Sequence, residues 1–239
     1  MDDEYTTEPV NVGETTIHRI PIEYSSYFAV QEPAPGHDEP PALLIALHGY
    51  GQSCKGFIRN FERLREHNFL VVAPQAVNQF YWEQGKVGFT WVTRYMREQT
   101  MSHTMDYLGR VVGAVKEQYA FDPKRVYLFG FSNGVAMSFR LGASGAVQPA
   151  GIVGCCGDLP KDVESQLDGL ERFPVLLLHG EEDTMVHAEK TREAEVALRA
   201  HDYEVETVYF PAGHELRPEE LDRVCEWLCA KARAGKEKT

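Results

Sequence analysis

The sequence predicts an α/β fold in which a mostly parallel central sheet is flanked by helices on both faces. Short continuous apolar runs such as Ala42–Leu47 and Val175–Leu178 suit strands that are buried on both faces. Between these runs lie segments whose apolar residues recur at helical spacing, as βαβ units require. In such sheets, functional residues collect in loops just past the C-terminal ends of the strands.

The elements follow one another along the whole chain. Residues from Ile17 to Val30 are rich in β-branched and aromatic side chains and predict one or two early strands, and 31–41 is a Pro-, Gly- and charge-rich loop. The later strands are predicted at Ala42–Leu47, Leu70–Ala73, Arg125–Phe129, Ile152–Gly154, Val175–Leu178 and Val205–Phe210. The helices are predicted around Phe57/Phe61/Leu64, Met105 to Tyr119, Val135 to Leu141, Ala194/Leu198 and Leu221/Val224/Cys225/Leu228.

The composition is that of an ordinary globular protein, with 43% hydrophobic and 25% charged residues among 239. We expect a single domain over 1–239, with strands and a loop over 1–38 and a flexible tail over 233–239. The net charge of −12 argues against nucleic acid and anionic membranes as partners. The start of the sequence, Met1-Asp2-Asp3-Glu4, lacks the features of a signal peptide, and no apolar run is long enough to cross a bilayer. A cytoplasmic protein without stable membrane insertion is therefore expected.

The cysteine pattern indicates neither a disulfide framework nor a metal site. The five cysteines form an odd set without a paired CxxC motif. Cys225 and Cys229 are four residues apart on a predicted helix, where a packing role is expected. No phosphate-binding loop is present either, so no metal and no cofactor are expected. The oligomeric state is left open.

A candidate nucleophile lies in the segment Gly130-Phe131-Ser132-Asn133-Gly134, which matches G-x-S-x-G. It stands between a predicted strand and a predicted helix, the setting that a nucleophile elbow requires. The flanking glycines keep the tight turn free of Cβ atoms. A serine that only caps its helix does not need them, so we predict that Ser132 is catalytic.

Two later loops supply candidates for the acid and the base that a serine nucleophile needs. In this kind of site the order along the chain is Ser, Asp or Glu, His. The strand Val175–Leu178 is followed by an acidic run that offers Glu181, Glu182 and Asp183. The last predicted strand is followed by His214, which is therefore the candidate base.

The loop after Leu47 is a candidate oxyanion hole, because it reads His48-Gly49-Tyr50-Gly51-Gln52 and its glycines allow a close backbone approach. The backbone N–H of Asn133, just after the nucleophile, is the first predicted donor, and that of Tyr50 is the second. Gly49 and Gly51 remain alternatives to Tyr50.

The segment 77–103 is dense in aromatic residues and holds two glycines. Such a segment is typical of a lid or of a substrate pocket. Trp82, Phe89 and Trp91 are the candidate substrate-binding residues. Packing of these aromatics against the edge of the sheet is the alternative.

These motifs together resemble the α/β-hydrolase superfamily, and within it the phospholipase/carboxylesterase group that includes bacterial carboxylesterases and acyl-protein thioesterases. The matching pieces are Leu47–Ser53, Gly130–Gly134, His179–Val186 and Gly213–Glu215. The group's pattern HGxxDxxV implies that Asp183 is the acid. The group often has GFSQGG, whereas this chain has Asn133 and Val135, and GxSNG also resembles relatives among feruloyl esterases and polyhydroxyalkanoate depolymerases.

The resemblance and the residues together predict a serine hydrolase that cleaves carboxylic esters of small molecules through an acyl-enzyme, with Ser132, Asp183 and His214 as its triad. The enzymatic alternative is a thioesterase or a small peptidase with the same triad. A protein that kept the fold as a non-catalytic binding module is the alternative of a different class, since fold alone never establishes activity.

Overall fold

The computed structural model describes residues 10–237 except 13, 19, 21 and 84. Its centre is a seven-stranded sheet in the order β11-β10-β9-β8-β4-β5-β3. In this sheet only β3 runs antiparallel to its neighbour, so the mostly parallel sheet is confirmed. The strands, in chain order, are β1 (Val10–Val12), β2 (Thr15–Ile17), β3 (Phe28–Gln31), β4 (Ala42–Leu47), β5 (Phe69–Pro74), β6 (Asn78–Glu83), β7 (Lys86–Thr90), β8 (Val126–Phe131), β9 (Gly151–Cys155), β10 (Val175–Gly180) and β11 (Val205–Phe210).

Helices cover both faces of this sheet, as the sequence predicts. They are α1 (Cys54–Phe57), α2 (Arg97–Gln118), α3 (Asn133–Ala143), α4 (Lys161–Glu164), α5 (Glu189–Ala200) and α6 (Pro218–Glu237), with 3₁₀ segments at Ile58–His67 and Leu167–Gly169. One core contains apolar residues of α2, α3 and α5, and the other contains those of α1 and α6.

The strands are uniformly apolar because both of their faces are buried. In β4 the side chains of Leu43, Ile45 and Leu47 enter the first core, and those of Ala42, Leu44 and Ala46 enter the second. All six residues of β4 are buried, which explains why the strand shows no polar alternation.

The strand order reverses at β4, since β5 lies on one side of it and β8 on the other. Loops that leave two such strands at their C-terminal ends diverge and open a crevice between them. The loop after β4 carries His48 and Tyr50, and the turn after β8 carries Ser132. The topology therefore brings the two candidate oxyanion donors to the same edge of the sheet.

The aromatic segment 77–103 has more regular structure than a loop. β6 and β7 form an antiparallel hairpin with Gly85 (φ 80°) in its turn, and α2 already begins at Arg97, well before the predicted start near Met105. Among the described residues, no side chain caps the start of α2, where Met96 occupies the N-cap position, and methionine is not a residue that predicts a helix start.

Two further boundaries differ from the sequence-based expectation. The early strands predicted within 17–30 are β2, which ends at Ile17, and β3, which begins at Phe28. Helix α6 continues to Glu237, although a flexible tail was predicted from 233 onward. Residues 238 and 239 of that tail, and Met1 to Glu4, lie outside the described residues. In the described part of the chain no helix has the length and apolarity needed to cross a membrane.

Candidate active site

Ser132 occupies a strained turn between β8 and α3. Its backbone has φ 55° and ψ −123°, a region that residues with a Cβ rarely adopt and that marks functional turns. The Ser132 N–H donates to the carbonyl of Cys155 on the neighbouring strand at 2.8 Å. A Cβ at Gly134 would lie 2.1 Å from the Leu47 carbonyl oxygen, and one at Gly130 would lie 2.4 Å from that of Gly134. Both glycines are therefore sterically required by the turn.

The structure brings Ser132, His214 and Asp183 into one hydrogen-bonded chain. His214 Nδ1 lies 2.7 Å from Asp183 Oδ2, and His214 Nε2 lies 2.9 Å from Ser132 Oγ. A carboxylate only accepts hydrogen bonds, so Nδ1 carries the proton and Nε2 is free to accept the serine hydroxyl proton. The ring of Phe131 lies against the imidazole of His214, with centroids 5.1 Å apart.

Asp183 is the acid that faces His214, and its acidic neighbours do not. Its side chain is fully buried, whereas Glu181 and Glu182 are exposed. Asp183 Oδ1 accepts the N–H groups of Met185 and Val186, each at 2.9 Å. Burial alone would raise the pKa of Asp183, but the bonds from Val186, His214 and Met185 outweigh burial and lower it. The carboxylate therefore stays charged beside the imidazole.

The hydrogen bonds of the loop after β4 single out one of its backbone N–H groups. Gly49 N donates to Gln52 Oε1 at 2.7 Å, Gly51 N to the Phe89 carbonyl at 2.9 Å, and Gln52 N to the Gly49 carbonyl at 3.2 Å. Among the described residues, the N–H of Tyr50 has no such partner. Asn133 is the first residue of α3, a position whose N–H has no acceptor within the helix.

Two buried histidines, His48 and His179, hydrogen-bond to the loops that carry Tyr50 and Asp183, and neither has a role predicted from the sequence. His48 Nε2 accepts the N–H of Ala76 at 3.1 Å, so its proton is on Nδ1, which donates to the Gly49 carbonyl at 2.8 Å. Burial lowers the pKa of His48 to about 4. His179 Nε2 donates to the Val186 carbonyl at 2.8 Å, and burial lowers the pKa of His179 as well. In the sequence, each of these two histidines stands directly before a glycine at the end of a buried strand. This shared position is the signal that could have identified them.

The three candidate substrate-binding aromatics occupy different environments. Trp82 is half exposed and packs with Phe80 against Tyr50, with ring centroids 5.3 Å (Trp82) and 4.6 Å (Phe80) from that of Tyr50. The side chain of Phe89 is partly buried against the first core. Trp91 is only 1% exposed, and its indole N–H donates to the His48 carbonyl at 2.8 Å. Trp91 therefore has no free surface for substrate, because its ring fills the core behind the loop that carries Tyr50.

Cys156, Asp183 and His214 carry ligand-type atoms within 4.8 Å of one another. Asp183 and His214, however, use these atoms in hydrogen bonds to each other, to Ser132 and to the backbone. A metal ion bound there would have to break the chain that links Asp183 to Ser132.

The chain is similar to known hydrolases in sequence and in fold. The family model described as Phospholipase/Carboxylesterase matches residues 26–231. Acyl-protein thioesterase 1 of Gibberella zeae is 35% identical over 108 residues, which are 43% of this chain and 46% of that protein. The chain thus spans less than half the length of that relative.

Two solved structures share the fold over most of the chain. Esterase PE8 superposes with a TM-score of 0.73 and 20% identity, covering 86% of this chain and 98% of the esterase. Acyl-protein thioesterase 2 of Zea mays superposes with a TM-score of 0.65 and 21% identity, covering 87% of this chain and 99% of the thioesterase. At these identities the two comparisons establish the fold, whereas the family model establishes the relationship.

Proposed function

Because the chain belongs to the phospholipase/carboxylesterase family of α/β hydrolases, we propose that it is a serine hydrolase that cleaves carboxylic esters of small molecules. The observation that carries the proposal is the hydrogen-bonded chain from Ser132 Oγ through His214 to Asp183, with links of 2.9 and 2.7 Å. A serine hydroxyl is a weak nucleophile at neutral pH, and an adjacent oriented base is what activates it.

In the proposed reaction, Ser132 Oγ attacks the ester carbonyl carbon while its proton passes to His214 Nε2. The carbonyl π electrons move onto oxygen and form a tetrahedral oxyanion. When the C–O bond to the alcohol breaks, His214 returns the proton to the leaving oxygen, and an acyl-enzyme remains on Ser132. Water then attacks the acyl-enzyme by the same route, and the acid is released. Asp183, charged and buried, orients His214 and stabilises the imidazolium.

The oxyanion is proposed to accept hydrogen bonds from the N–H groups of Tyr50 and Asn133. The support for Tyr50 over Gly49 and Gly51 is that its neighbours already donate within the protein. The start of α3 adds the positive end of a helix dipole at Asn133. Preorganised donors of this kind stabilise the charge that develops in the transition state.

For the acyl or aryl part of the substrate we propose the aromatic cluster of Tyr50, Phe80 and Trp82. Tyr50 and Trp82 are each 48% exposed, so the cluster offers apolar surface to a ligand. Its rings are in mutual contact. Tyr50 also supplies a proposed oxyanion donor. A substrate whose carbonyl oxygen is bound there would therefore have its acyl or aryl group beside the aromatic cluster. The hairpin β6–β7 is thus proposed as the wall of the substrate site.

A thioesterase is the second candidate function, and the similarity to acyl-protein thioesterase 1 over 108 residues favours it. A thioester presents the same carbonyl to Ser132 and differs in the leaving atom. The relative's name supports this candidate, and the alignment covers less than half of either chain.

A fluorophosphonate probe and a substrate panel test the proposal. The probe should label the wild type at Ser132 and leave Ser132→Ala unlabelled, and Ser132→Ala should lose hydrolysis of p-nitrophenyl esters. Thioester and peptide substrates in the same panel separate the esterase from the alternatives. Full activity of Ser132→Ala, or labelling at another residue, would contradict the assignment, and a wild type inert to the probe and to every substrate would favour a non-catalytic protein.

A further inference from the structure

Three consecutive residues at the base of the hairpin, 89–91, together contact the two segments that carry the proposed oxyanion donors. The Phe89 carbonyl accepts the N–H of Gly51 at 2.9 Å. Thr90 Oγ1 lies 3.3 Å from Asn133 Nδ2, which donates to it. The Trp91 indole N–H donates to the His48 carbonyl at 2.8 Å. The segment 89–91 therefore links the loop after β4 to the turn after β8.

The contacts of Phe89 and Trp91 flank the peptide that carries the Tyr50 N–H. That peptide joins Gly49 to Tyr50, and its carbonyl accepts hydrogen bonds from His48 Nδ1 at 2.8 Å and from Gln52 N at 3.2 Å. In a planar trans peptide the carbonyl and the N–H point in opposite directions, so holding one directs the other. Trp91 holds the preceding peptide through the His48 carbonyl, and Phe89 holds the following one through Gly51 N.

Trp91 is itself held firmly enough to act as a support. Its carbonyl accepts hydrogen bonds from Thr104 Oγ1 of α2 at 2.6 Å and from Asn78 Nδ2 of β6 at 3.0 Å. Its ring is buried in the first core and lies 4.9 Å, centroid to centroid, from the imidazole of His48. The indole N–H thus has little freedom to follow the His48 carbonyl if the loop shifts.

We propose that Trp91 is a positioning residue that keeps the Gly49–Tyr50 peptide aligned as an oxyanion donor, an inference that rests on the proposed function. Trp91 touches neither the substrate nor the reacting atoms, since it is 1% exposed. It acts through the His48 carbonyl, and Thr90 provides the parallel link to Asn133. Substrate affinity should depend little on the indole N–H, whereas stabilisation of the tetrahedral oxyanion should depend on it.

The test is Trp91→Phe, which removes the indole N–H and keeps an aromatic ring in the core. Loss of a whole oxyanion donor lowers kcat by about 10²–10³, so misalignment of one donor should lower kcat on a short acetyl ester by about tenfold. KM should stay near its wild-type value. The inhibition constant of a phenylboronic acid, whose tetrahedral adduct with Ser132 places an oxygen in the hole, should rise by a similar factor.

Trp227→Phe is the matched control. Trp227 is also buried, at 8% exposure, but it belongs to α6 and its side chain lies in the second core. The same chemical change there should lower the melting temperature and leave kcat and boronate affinity unchanged. An effect of Trp91→Phe that is equalled by Trp227→Phe would reflect general loss of packing and would overturn the inference.

A single-atom change keeps the inference testable if Trp91→Phe folds poorly. 3-Benzothienylalanine at position 91 replaces the indole N–H with sulfur and retains the bicyclic ring. Wild-type kcat and boronate affinity in this variant would overturn the inference alone, provided that Ser132→Ala is inactive. Retained activity of Ser132→Ala would instead overturn the proposed function, and so the two failures are distinguishable.

Discussion

The two carboxylate oxygens of Asp183 have different hydrogen-bond partners. Oδ1 accepts the N–H groups of Met185 and Val186, and Oδ2 accepts Nδ1–H of His214. His179 Nε2 lies 3.6 Å from the same Oδ2 and donates to the Val186 carbonyl. The loop after β10 is thereby folded around the carboxylate, which fixes the oxygen that faces His214.

Asp183→Asn should leave the fold intact and remove most of the activity. The two backbone N–H groups require an acceptor at the Oδ1 position, so the amide nitrogen would face His214 Nδ1 and favour the tautomer protonated on Nε2. That tautomer cannot take the proton of Ser132, and in a serine protease the equivalent change lowered turnover by about 10⁴. Steady-state kinetics, with circular dichroism for folding, measure the effect. Glu182→Gln is the control, because Glu182 is exposed; if Glu182→Gln were the inactive variant instead, the acid would be misassigned.

At the scale of elements, glycine is sterically required in the turn between β8 and α3, whereas it is not required in helix α2. A Cβ at Gly134 would lie 2.1 Å from the Leu47 carbonyl oxygen, whereas one at Gly113 would meet nothing within 4 Å. The two positions therefore offer the same substitution in opposite environments.

Gly134→Ala should lower both the melting temperature and kcat, because β4 and the turn must separate to admit the methyl group. Gly113→Ala should stabilise the protein by about 0.5–1 kcal/mol, since alanine is the better helix former in the interior of α2. Urea unfolding and ester hydrolysis measured on both variants test this pair. If Gly134→Ala left the melting temperature and kcat unchanged, the turn would have room for a methyl group, contrary to the structure.

The hairpin β6–β7 offers a second element-scale prediction. If the aromatic cluster binds the acyl chain, each added methylene should favour binding by about 0.8 kcal/mol until the surface is covered. Trp82→Ala should flatten that chain-length preference and change the rate on acetyl esters much less. Tyr81→Ala is the matched control, because Tyr81 is 82% exposed and has no ring contact with the cluster among the described residues. An unchanged profile in Trp82→Ala would remove the cluster from the substrate site.

At the scale of the whole molecule, the buried histidines make stability depend on pH. The pKa of His48 is lowered to about 4 by burial, whereas an unfolded chain binds the proton near pH 6.5. Between these values the unfolded state holds more protons, so stability is complete above about pH 6.5 and falls as the pH drops toward 4. His179, whose pKa is also lowered by burial, contributes in the same direction.

The free energy of unfolding should therefore decrease by about 3 kcal/mol for His48 between pH 7 and pH 4, at 1.36 kcal/mol per pKa unit. Urea titrations across this range measure the slope, and His48→Gln should reduce it even if the variant is less stable overall. An identical slope in the wild type and in His48→Gln would mean that the pKa of His48 is the same in the folded and unfolded states, and would contradict the prediction.

Local sequence determined the parts of this protein that depend on neighbouring residues. Mostly apolar runs predicted the strands β4, β5, β8 and β10, all of whose residues are buried, because burial on both faces leaves few polar positions. The glycines around Ser132 announced a tight turn, and the topology then brought the loops of Asp183 and His214 to within hydrogen-bonding distance of it. The start of α2 was predicted near Met105, too late in the chain, because Met96 at its N-cap makes no side-chain hydrogen bond that would mark the true start.

Only the tertiary structure decided which aromatic residues of the segment 77–103 are exposed to solvent and which are buried. Trp82 and Trp91 belong to the same aromatic segment, yet one is half exposed and the other is 1% exposed. Composition cannot separate them, because the partner of Trp91 is the His48 carbonyl, 43 residues earlier in the chain. Likewise, the N–H of Tyr50 has no partner among the described residues, whereas its neighbours Gly51 and Gly49 donate to Phe89 and Gln52. Hydrogen bonds between distant segments leave no periodic trace in the sequence, and they form only when the sheet and the hairpin are assembled.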